Sequence, residues 1–319
     1  MNNGDQKRIG LLWLDIGGPE HPEDVPAFLR SFLSDPRIMP LPWPFRPLLA
    51  RYIAWRRSPQ AAAHYRAIGG GSPLARQSRR QAVALQQELG DRFAVRFAFR
   101  HSAPSIPFVI DEFRHLGLSR VIALPAFPQQ SHTTTTSTLE EFVSAAGRAG
   151  MLTAAVRSYA DAPGFAEAIA GLASPLLNPG GLALFCAHGL PARMVRAGDP
   201  YMEDIQRTVS AVAARLPRGI SHTVAFQSRM GRQEWTRPYL NEEIARLGRT
   251  GVTSVVLIPI SFVCENLETL FELDIEISHL AAKSGIRSLR RVPTPACHPA
   301  LVQELSGMVR SKVREAGWQ

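Results

Sequence analysis

The sequence predicts an α/β protein of two similar doubly wound lobes, each with a parallel sheet, and with a cleft between the lobes. Two observations favour this fold. Apolar, strand-like runs alternate with helical patterns along the 319 residues, which is typical of parallel sheets covered by helices. About four such runs fall in each half of the chain, so two sheets of similar size are expected.

The strand-like runs follow one another in a regular order. IGLLWLDI leads into a Gly-Gly-Pro turn, and SVVLIPISF is the last long apolar run. Stretches such as PLARQSRRQAVALQQEL and PYMEDIQRTVSAVAARL carry apolar residues at helical spacing between the runs. The expected strands are residues 9–16, 93–100, 119–127, 152–159, 181–188, 222–228 and 254–262.

The boundary between the lobes is expected near DAPG, residues 161–164, because Pro and Gly interrupt regular structure. Residues 1–160 are therefore assigned to an N-terminal α/β lobe, and residues 161–319 to a C-terminal α/β lobe. The last helix is expected to pack back on the N-terminal lobe.

Composition limits the class of protein. Hydrophobic residues make up 45% and charged residues 20%, no apolar run approaches the roughly 20 residues of a membrane span, and MNNGDQKR is no export signal. Three widely separated cysteines indicate a reducing, cytoplasmic location. The net charge of +9 favours an anionic partner, but the arginines form no compact basic run, so nucleic acid is not expected as a partner.

Ligands of doubly wound sheets bind beyond the carboxyl ends of the strands. Polar and turn-forming residues of this chain cluster there, so one ligand site in the cleft is expected. The segments are residues 15–19, 100–101, 128–132, 187–189 and 227–229.

IGGGSPL, residues 68–74, is interpreted as a turn that leads into a helix. It lacks the lysine of a phosphate loop and the spacing of a dinucleotide-binding loop. Ser72 is expected to be the helix N-cap, with Pro73 at the first helical position.

A histidine and a stripe of acids are the candidate chemical groups. His188 ends an apolar strand before Gly189, which would let the backbone turn and present the imidazole to the cleft; a structural histidine is the alternative. Four acids fall three, four and four residues apart and would share an arc of about 80° on a helix. No lysine or arginine lies among them, and an uncompensated stripe suits a hydrated cation or a chain of protons, whereas a solvated helix face is the alternative. The acids are Glu265, Glu268, Glu272 and Glu276.

Residues 35–59, called the lip below, mix aromatic and aliphatic residues with prolines and arginines and show no clean period. An irregular segment that covers the core is one interpretation. The other is an apolar, basic surface that meets a lipid membrane or a flat apolar ligand. A lip at the membrane would make the protein peripheral at the inner membrane face.

Taken together, these motifs resemble the ferrochelatases, which insert ferrous iron into protoporphyrin IX in the last step of haem synthesis. The resemblance covers almost the whole chain, from residue 9 to about residue 309, in the family's order. The matching motifs are DIGGP, WRRSP, YRAIGGGSPL, FAFRHSAP, LPAFPQQSHTTTTST, AHGLP with GDPY, QSRMG with Trp235, and PISFVCENLETLFELDIE.

The resemblance implies a lyase, a protohaem ferro-lyase, whose substrates are Fe²⁺ and protoporphyrin IX and which releases two protons. No tightly bound cofactor is expected. Some family members carry a two-iron cluster on four cysteines, but this chain has three scattered cysteines, so no iron–sulfur cluster is expected.

The resemblance also implies roles for individual residues. His188 would take pyrrole protons or help hold the metal, and Glu268 would face it, so both are candidate catalytic and metal-binding groups. Glu265 and Glu272 are further candidate metal ligands, and Glu272 and Glu276 would continue a path for metal entry or proton exit along a helix with a π-type turn. The candidate substrate-binding residues are Ile16, Arg57, Tyr65, Ser72, Arg100, His101, Ser228 and Trp235.

The chain departs from the family's pattern at three positions. Asn266 stands in place of a histidine, Asp15 in place of an asparagine, and His101 in place of an aromatic residue. Metal preference therefore stays open. Two alternatives also stay open: a chelatase of the same fold for coproporphyrin III or sirohydrochlorin, and a non-catalytic paralogue that binds porphyrin or haem.

Overall fold

The computed structural model describes residues 8–231 and 233–318, which form two compact units. Unit 1 comprises the described residues up to Phe127, Ser131–Arg157, and the described residues from Leu305 onward. Unit 2 comprises Pro128–Gln130 and Ser158–Glu304.

Each unit contains a four-stranded parallel sheet, and both sheets have the same strand order. In unit 1 the order is β2-β1-β3-β4, and in unit 2 it is β6-β5-β7-β8. The prediction of two similar parallel α/β sheets is thus confirmed. The strands of unit 1 are β1 Ile9–Asp15, β2 Phe93–Phe99, β3 Arg120–Pro125 and β4 Leu152–Ala155. The strands of unit 2 are β5 Leu182–His188, β6 Ser221–Gln227, β7 Ser254–Pro259 and β8 Ser288–Arg291.

Burial explains which strands the sequence revealed. All seven residues of β1 are buried, and successive side chains of a strand point to opposite faces, so both faces of β1 are covered. A strand covered on both faces reads as a continuous apolar run. Strand β8, with the sequence SLRR, is half-buried and lies at the edge of its sheet. Because it carries two arginines, it has no apolar run that would have predicted a strand.

In unit 1, residues of the fourth and fifth α-helices pack with Leu12 and Leu14 of β1 in one apolar core. These helices contribute Phe113 and Phe142, which are fully buried. The α-helices of unit 1 are α1 Val25–Leu33, α2 Phe45–Ala67, α3 Leu74–Leu89, α4 Ile106–His115 and α5 Ser137–Arg148. A short 3₁₀ helix, Pro22–Asp24, and a π-helix, His132–Thr136, lie among them.

In unit 2, the helix that follows β7 is a π-helix, Glu268–Ile277. Its residues Leu273 and Ile277 pack in one core with Leu184 of β5 and Leu257 of β7. The α-helices are α6 Pro163–Ala173, α7 Ala192–Arg196, α8 Tyr201–Ala213, α9 Leu240–Arg249 and α10 Ser278–Lys283, with a 3₁₀ helix at Ser174–Leu176. Helix α11, Pro299–Glu315, begins in unit 2 and ends in unit 1.

The lip is irregular only over residues 35–44, and the rest of it is helical, which the interpretation as an irregular segment did not expect. It enters α2 at Phe45, and α2 buries only Ala50, Ala54, Ala62 and Tyr65. The large apolar side chains of the lip are instead exposed, with Trp43 at 77% and Trp55 at 69%. The sequence showed no helical period because the buried stripe consists mainly of alanines while the aromatic residues face outward.

The glycine-rich turn precedes α3, as predicted, but the helix starts one residue later than expected, at Leu74. The hydroxyl of Ser72 accepts a bond of 3.4 Å from the amide of Leu74, and the amide of Ser72 donates to the carbonyl of Pro19. A Cβ at Gly71 would lie 1.9 Å from the carbonyl oxygen of Glu20, so only glycine fits there.

Among the described helices, none combines the length and the apolar character needed to cross a lipid bilayer.

Candidate functional site

The imidazole of His188 lies at the carboxyl end of β5 and is half-buried. Its Nδ1 lies 2.7 Å from the carbonyl oxygen of Gly189. A carbonyl oxygen only accepts hydrogen bonds, so Nδ1 is the donor, and in the neutral imidazole Nε2 keeps its lone pair. A Cβ at Gly189 would lie 2.8 Å from the carbonyl oxygen of Gln227, so glycine is required beside the histidine. The geometry thus leaves Nε2 as the proton-accepting atom.

Two hydroxyl groups hold the backbone of His188. The amide of His188 donates to the hydroxyl of Ser261 at 3.2 Å, and the phenol of Tyr201 donates to the carbonyl of His188 at 3.0 Å. The Tyr201 and Ser261 oxygens are 2.7 Å apart. Burial raises the pKa of Tyr201 far above its ordinary value, so this phenol stays protonated and acts as a donor.

Three of the four acids lie on the π-helix of unit 2, and the fourth does not. Glu268, Glu272 and Glu276 repeat every four residues along Glu268–Ile277, beside a buried stripe at Thr269, Leu273 and Ile277. Glu265 precedes the helix, so the predicted single helical stripe of four acids is wrong. The π-type helix implied by the family resemblance is present, and such helices are frequent at functional sites.

Glu272 is held by three donors from the end of β6. Its Oε2 accepts from the hydroxyl of Ser228 at 2.5 Å and from the amide nitrogen Nε2 of Gln227 at 3.0 Å. Its Oε1 accepts from the backbone amide of Ser228 at 2.7 Å. The orientation of the Gln227 amide is fixed in turn by Cys186, whose thiol donates to Oε1 of Gln227 at 2.9 Å. Burial, and then the charge of Glu272, raises the pKa of Cys186, which keeps it a thiol.

Glu268 is electrostatically linked to His188. Burial raises the pKa of Glu268, the charge of His188 when protonated opposes this rise, and the negative charge of Glu272 adds to it. A carboxyl group with a raised pKa holds a proton at a higher pH than an exposed glutamate does. The charges of His188 and Glu272 thus both influence the protonation of Glu268.

The side chain of Asn266 caps the π-helix. Its Oδ1 accepts from the amide of Thr269 at 3.0 Å, and the hydroxyl of Thr269 accepts from the amide of Asn266 at 3.0 Å. This reciprocal pair satisfies two backbone donors at a helix start, as a capping box does. The side-chain amide of Asn266, which stands where the family pattern has a histidine, is thus bonded to Thr269 within the helix.

The sequence indicated that no cation compensates the charge of the acids, but the structure shows that one does. Arg291, at the end of β8, binds Asp274 of the π-helix at 2.6 Å and Glu265 at 3.1 Å. The hydroxyl of Thr269 and the amide of Thr294 also donate to Glu265. The compensating cation was missed because it is 26 residues from Glu265 in sequence and lies on the strand that the apolar pattern did not reveal.

In unit 1, four of the predicted substrate-binding residues lie around the turn after β1, namely Ile16, Ser72, Arg100 and His101. The amide of His101 donates to the carbonyl of Ile16 at 3.0 Å, and the amide of Arg100 donates to the carbonyl of Asp15 at 2.9 Å. Ser72 reaches the same turn through its bond to Pro19. Tyr65 is buried on α2, whereas Arg57 on the same helix is exposed.

Arg100 and His101 belong to a buried polar cluster centred on Asp35. Oδ2 of Asp35 lies 3.1 Å from Arg100 and 2.7 Å from the hydroxyl of Ser137, and Nε2 of His101 lies 3.7 Å away. Arg100 also binds Glu141 at 2.6 Å. Desolvation, with a contribution from the charge of Arg100, lowers the pKa of His101 to about 4. His101 is therefore neutral at pH 7, and its imidazole is buried rather than open to solvent.

Trp235, the remaining predicted residue, is also buried in unit 2. Its indole Nε1 donates to the carbonyl of Met230 at 2.8 Å. Sequence analysis did not single out Cys186, Ser261, Thr269 or Arg291, and it named Gln227 only as part of the strand-end segment 227–229. Tyr201 could have been found from the sequence, because it is the last residue of the GDPY motif.

No ready-made metal centre is present in residues 8–231 and 233–318, where no three His, Cys, Asp or Glu side chains are grouped closely enough to hold an ion. In unit 2 the acids are instead spread along the π-helix, with His188 in electrostatic reach of Glu268.

The two parallel α/β sheets form the same fold as solved chelatase structures. SirB from Bacillus subtilis with Fe3+ superposes with a TM-score of 0.61 at 11% identity and covers 98% of both chains. The sirohydrochlorin chelatase SirB from Bacillus subtilis subspecies spizizenii in complex with cobalt gives 0.56 at 10%, with the same coverage. At these identities the likeness shows the fold alone.

The chain belongs to the ferrochelatase family, whose family model matches residues 8–313. Among relatives named ferrochelatase, one from Synechococcus sp. (strain JA-3-3Ab) is 38% identical over 95% of this chain and 93% of its own length. One from Nostoc punctiforme is 37% identical over 95% and 81%. The family is one of lyases of haem synthesis, and membership implies porphyrin and iron as substrates.

Proposed function

We propose that this protein inserts Fe²⁺ into protoporphyrin IX to form protohaem, with release of two protons. The observation that carries the proposal is the hydrogen bonding of the His188 imidazole. Its Nδ1 is committed to the carbonyl of Gly189, which leaves Nε2 to accept a proton, and Glu268 is in electrostatic reach.

The chemistry needs such a base. Metal insertion removes two N–H protons from weakly acidic pyrroles, and a neutral imidazole can accept one of them. Binding walls that fit a bent macrocycle would expose the nitrogen lone pairs and favour the transition state. His188 either takes the pyrrole proton at Nε2 or uses that same lone pair to help hold the metal opposite Glu268, since Nδ1 is already bonded to Gly189.

The π-helix acids then carry protons away from His188 or bring the metal towards it. Glu268 can hold a proton because burial raises its pKa. Glu272 is the next acid of the stripe, and Glu276 is an exposed acid one further step along the helix. Fe²⁺ binds carboxylate oxygens as well as imidazole nitrogens, so the same stripe serves the incoming ion.

Contacts to the porphyrin are assigned by resemblance to the family. Arginine forks suit the two propionates, and Arg57 is an exposed arginine on α2. The remaining proposed contacts are Ile16, Tyr65, Ser72, Arg100, His101, Ser228 and Trp235. The long apolar lip favours protoporphyrin, the least polar of the candidate tetrapyrroles.

We also propose that the lip attaches the protein peripherally to an anionic membrane surface. Residues 36–59 of the lip contain five arginines and no aspartate or glutamate. Exposed Trp43, Phe45, Leu48 and Trp55 lie on the same segment. Aromatic side chains beside arginines suit the interface of a bilayer with anionic head groups.

An anaerobic insertion assay tests the function. Purified protein is mixed with Fe²⁺ and protoporphyrin IX without oxygen, and the absorption spectrum is followed. Many turnovers per protein support the proposal, whereas a single stoichiometric shift identifies a porphyrin or haem carrier. Parallel reactions with coproporphyrin III, sirohydrochlorin and Zn²⁺ identify the preferred tetrapyrrole and metal. Faster insertion into coproporphyrin III or sirohydrochlorin would overturn the protoporphyrin assignment.

A further inference from the structure

Arg291 joins two segments that flank the acids of the π-helix. Its Nε and one terminal nitrogen bind the two carboxylate oxygens of Asp274 at 2.6 and 2.8 Å. The other terminal nitrogen binds Oε1 of Glu265 at 3.1 Å. The Arg291 side chain is only 12% exposed; its bond to Glu265 is partly buried, whereas its two bonds to Asp274 face solvent.

Glu265 in turn anchors the start of the helix. Its Oε1 accepts from the amide of Thr294 at 2.9 Å, and its Oε2 accepts from the hydroxyl of Thr269 at 2.6 Å. Thr269 is fully buried and belongs to the capping pair with Asn266. Both oxygens of Glu265 are therefore occupied by structural bonds.

The two anchor points bracket the reactive acids. Glu265 lies before Glu268, and Asp274 lies after Glu272, so Glu268 and Glu272 are in the part of the chain between the contacts of Arg291. A π-helix is a rare conformation, and a change to another helical pitch would move residue 274 relative to residue 265. Such a change would break one of the two contacts of Arg291.

We propose that Arg291 is a positioning residue for metal insertion, which acts by binding Glu265 and Asp274 together and so keeps Glu268 and Glu272 in register along the π-helix. This inference rests on the proposed function. In this proposal Glu265 and Asp274 support the π-helix and are not ligands of the metal ion. Residues that orient metal-handling groups commonly change metal affinity or activity on the order of 10- to 100-fold when they are replaced.

The test compares Arg291→Lys and Asp274→Asn with wild type. Lysine keeps the charge but is a single-point donor that cannot reproduce the guanidinium fork. Asp274→Asn alters only a partly exposed partner and keeps the contact with Glu265. Arg246→Met is the matched control, because Arg246 forms an equally short two-point pair with Glu243 on α9.

Steady-state insertion of Zn²⁺ and Fe²⁺ is measured with each substrate varied, and amide hydrogen exchange is measured across residues 268–277. For Arg291→Lys we expect kcat/KM for the metal to fall by about 10-fold or more, the KM for porphyrin to stay within about twofold, and exchange in residues 268–277 to accelerate. Asp274→Asn should give a smaller change of the same kind, and Arg246→Met should give none.

Unchanged metal kcat/KM or unchanged exchange in Arg291→Lys would overturn the inference. So would an equal loss in Arg246→Met, because that result would indicate general destabilisation. Failure of wild type to insert any metal would count against the proposed function instead, and the exchange measurement would still show whether Arg291 orders the helix. If Arg291→Lys does not fold, Asp274→Asn decides in the same way.

Discussion

Ser228 holds the carboxylate of Glu272 with two hydrogen bonds, one from its hydroxyl to Oε2 at 2.5 Å and one from its amide to Oε1 at 2.7 Å. Its φ of 65° lies in the left-handed region, which costs a non-glycine residue on the order of 1–3 kcal/mol. The resemblance assigned Ser228 to the porphyrin, and here its hydroxyl serves an acid of the π-helix. A strained residue at the end of β6 thus contacts an element that sequence alone did not connect to it.

Ser228→Gly and Ser228→Ala separate strain from hydrogen bonding. Both lose the hydroxyl, but glycine adopts the left-handed conformation without the steric cost of a Cβ. We expect Ser228→Gly to be more stable than Ser228→Ala by about 1 kcal/mol in denaturant unfolding, while both raise the KM for the metal. A rise in the KM for porphyrin with no change for the metal would instead place this hydroxyl on a propionate.

His188→Ala should abolish metal insertion while porphyrin still binds, because alanine cannot accept the pyrrole proton. Single-turnover absorption reports insertion, and quenching of porphyrin fluorescence reports binding. His279→Ala, at an exposed histidine on α10, is the control and should insert metal normally. Turnover near the wild-type rate in His188→Ala would remove His188 from the mechanism.

Substitutions at Asn266 distinguish a capping role from a role with the metal. Asn266→Ala should lower the free energy of unfolding by about 1 kcal/mol, a typical cost of losing a cap, and Asn266→Asp should retain most of the stability. Asn266→His should change the ratio of Zn²⁺ to Fe²⁺ insertion, since imidazole suits borderline metals. Equal metal ratios in Asn266→His and wild type would show that position 266 acts only as a cap.

The buried His101 predicts how stability depends on pH. Desolvation, and secondarily the charge of Arg100, lowers its pKa to about 4 in the folded protein, whereas the unfolded chain titrates near 6.5. The unfolded state therefore binds more protons between these values, and stability is lost as pH falls from about 6.5 to 4, by about 3 kcal/mol. His101→Phe should flatten the pH dependence of urea unfolding over this range. An equally steep loss in that variant would assign the effect to other groups.

Membrane attachment through the lip predicts co-sedimentation with anionic vesicles but weak binding to neutral ones. Trp43→Ser combined with Phe45→Ser should reduce that binding, because both side chains are exposed and would enter the interface. Phe108→Ser changes an exposed aromatic outside the lip and should have no effect. Unchanged vesicle binding in the lip variant would restrict the lip to porphyrin contacts.

Local pattern was sufficient for most of the fold. In the described part of the chain, seven of the eight strands coincide with the predicted runs. Strands covered on both faces, such as β1, need continuous apolar sequence, whereas the edge strand β4 has only exposed and half-buried residues. Strand β8 and the exposed helix α2 escaped detection for opposite reasons. One is a polar edge strand, and the other buries alanines while its aromatic side chains remain exposed.

The sequence by itself determined that two parallel α/β sheets form, that His188 ends a strand, and that the acids follow the last long apolar run in the chain. These features depend on residues close together in the chain. Tertiary structure decided which groups those acids contact, because the register of β8 against β7 positions Arg291 for Glu265 and Asp274, and the end of β6 brings Ser228 to Glu272. Hydrogen-bond partners that are 26 and 44 residues apart are set by strand order and packing, which no local pattern encodes.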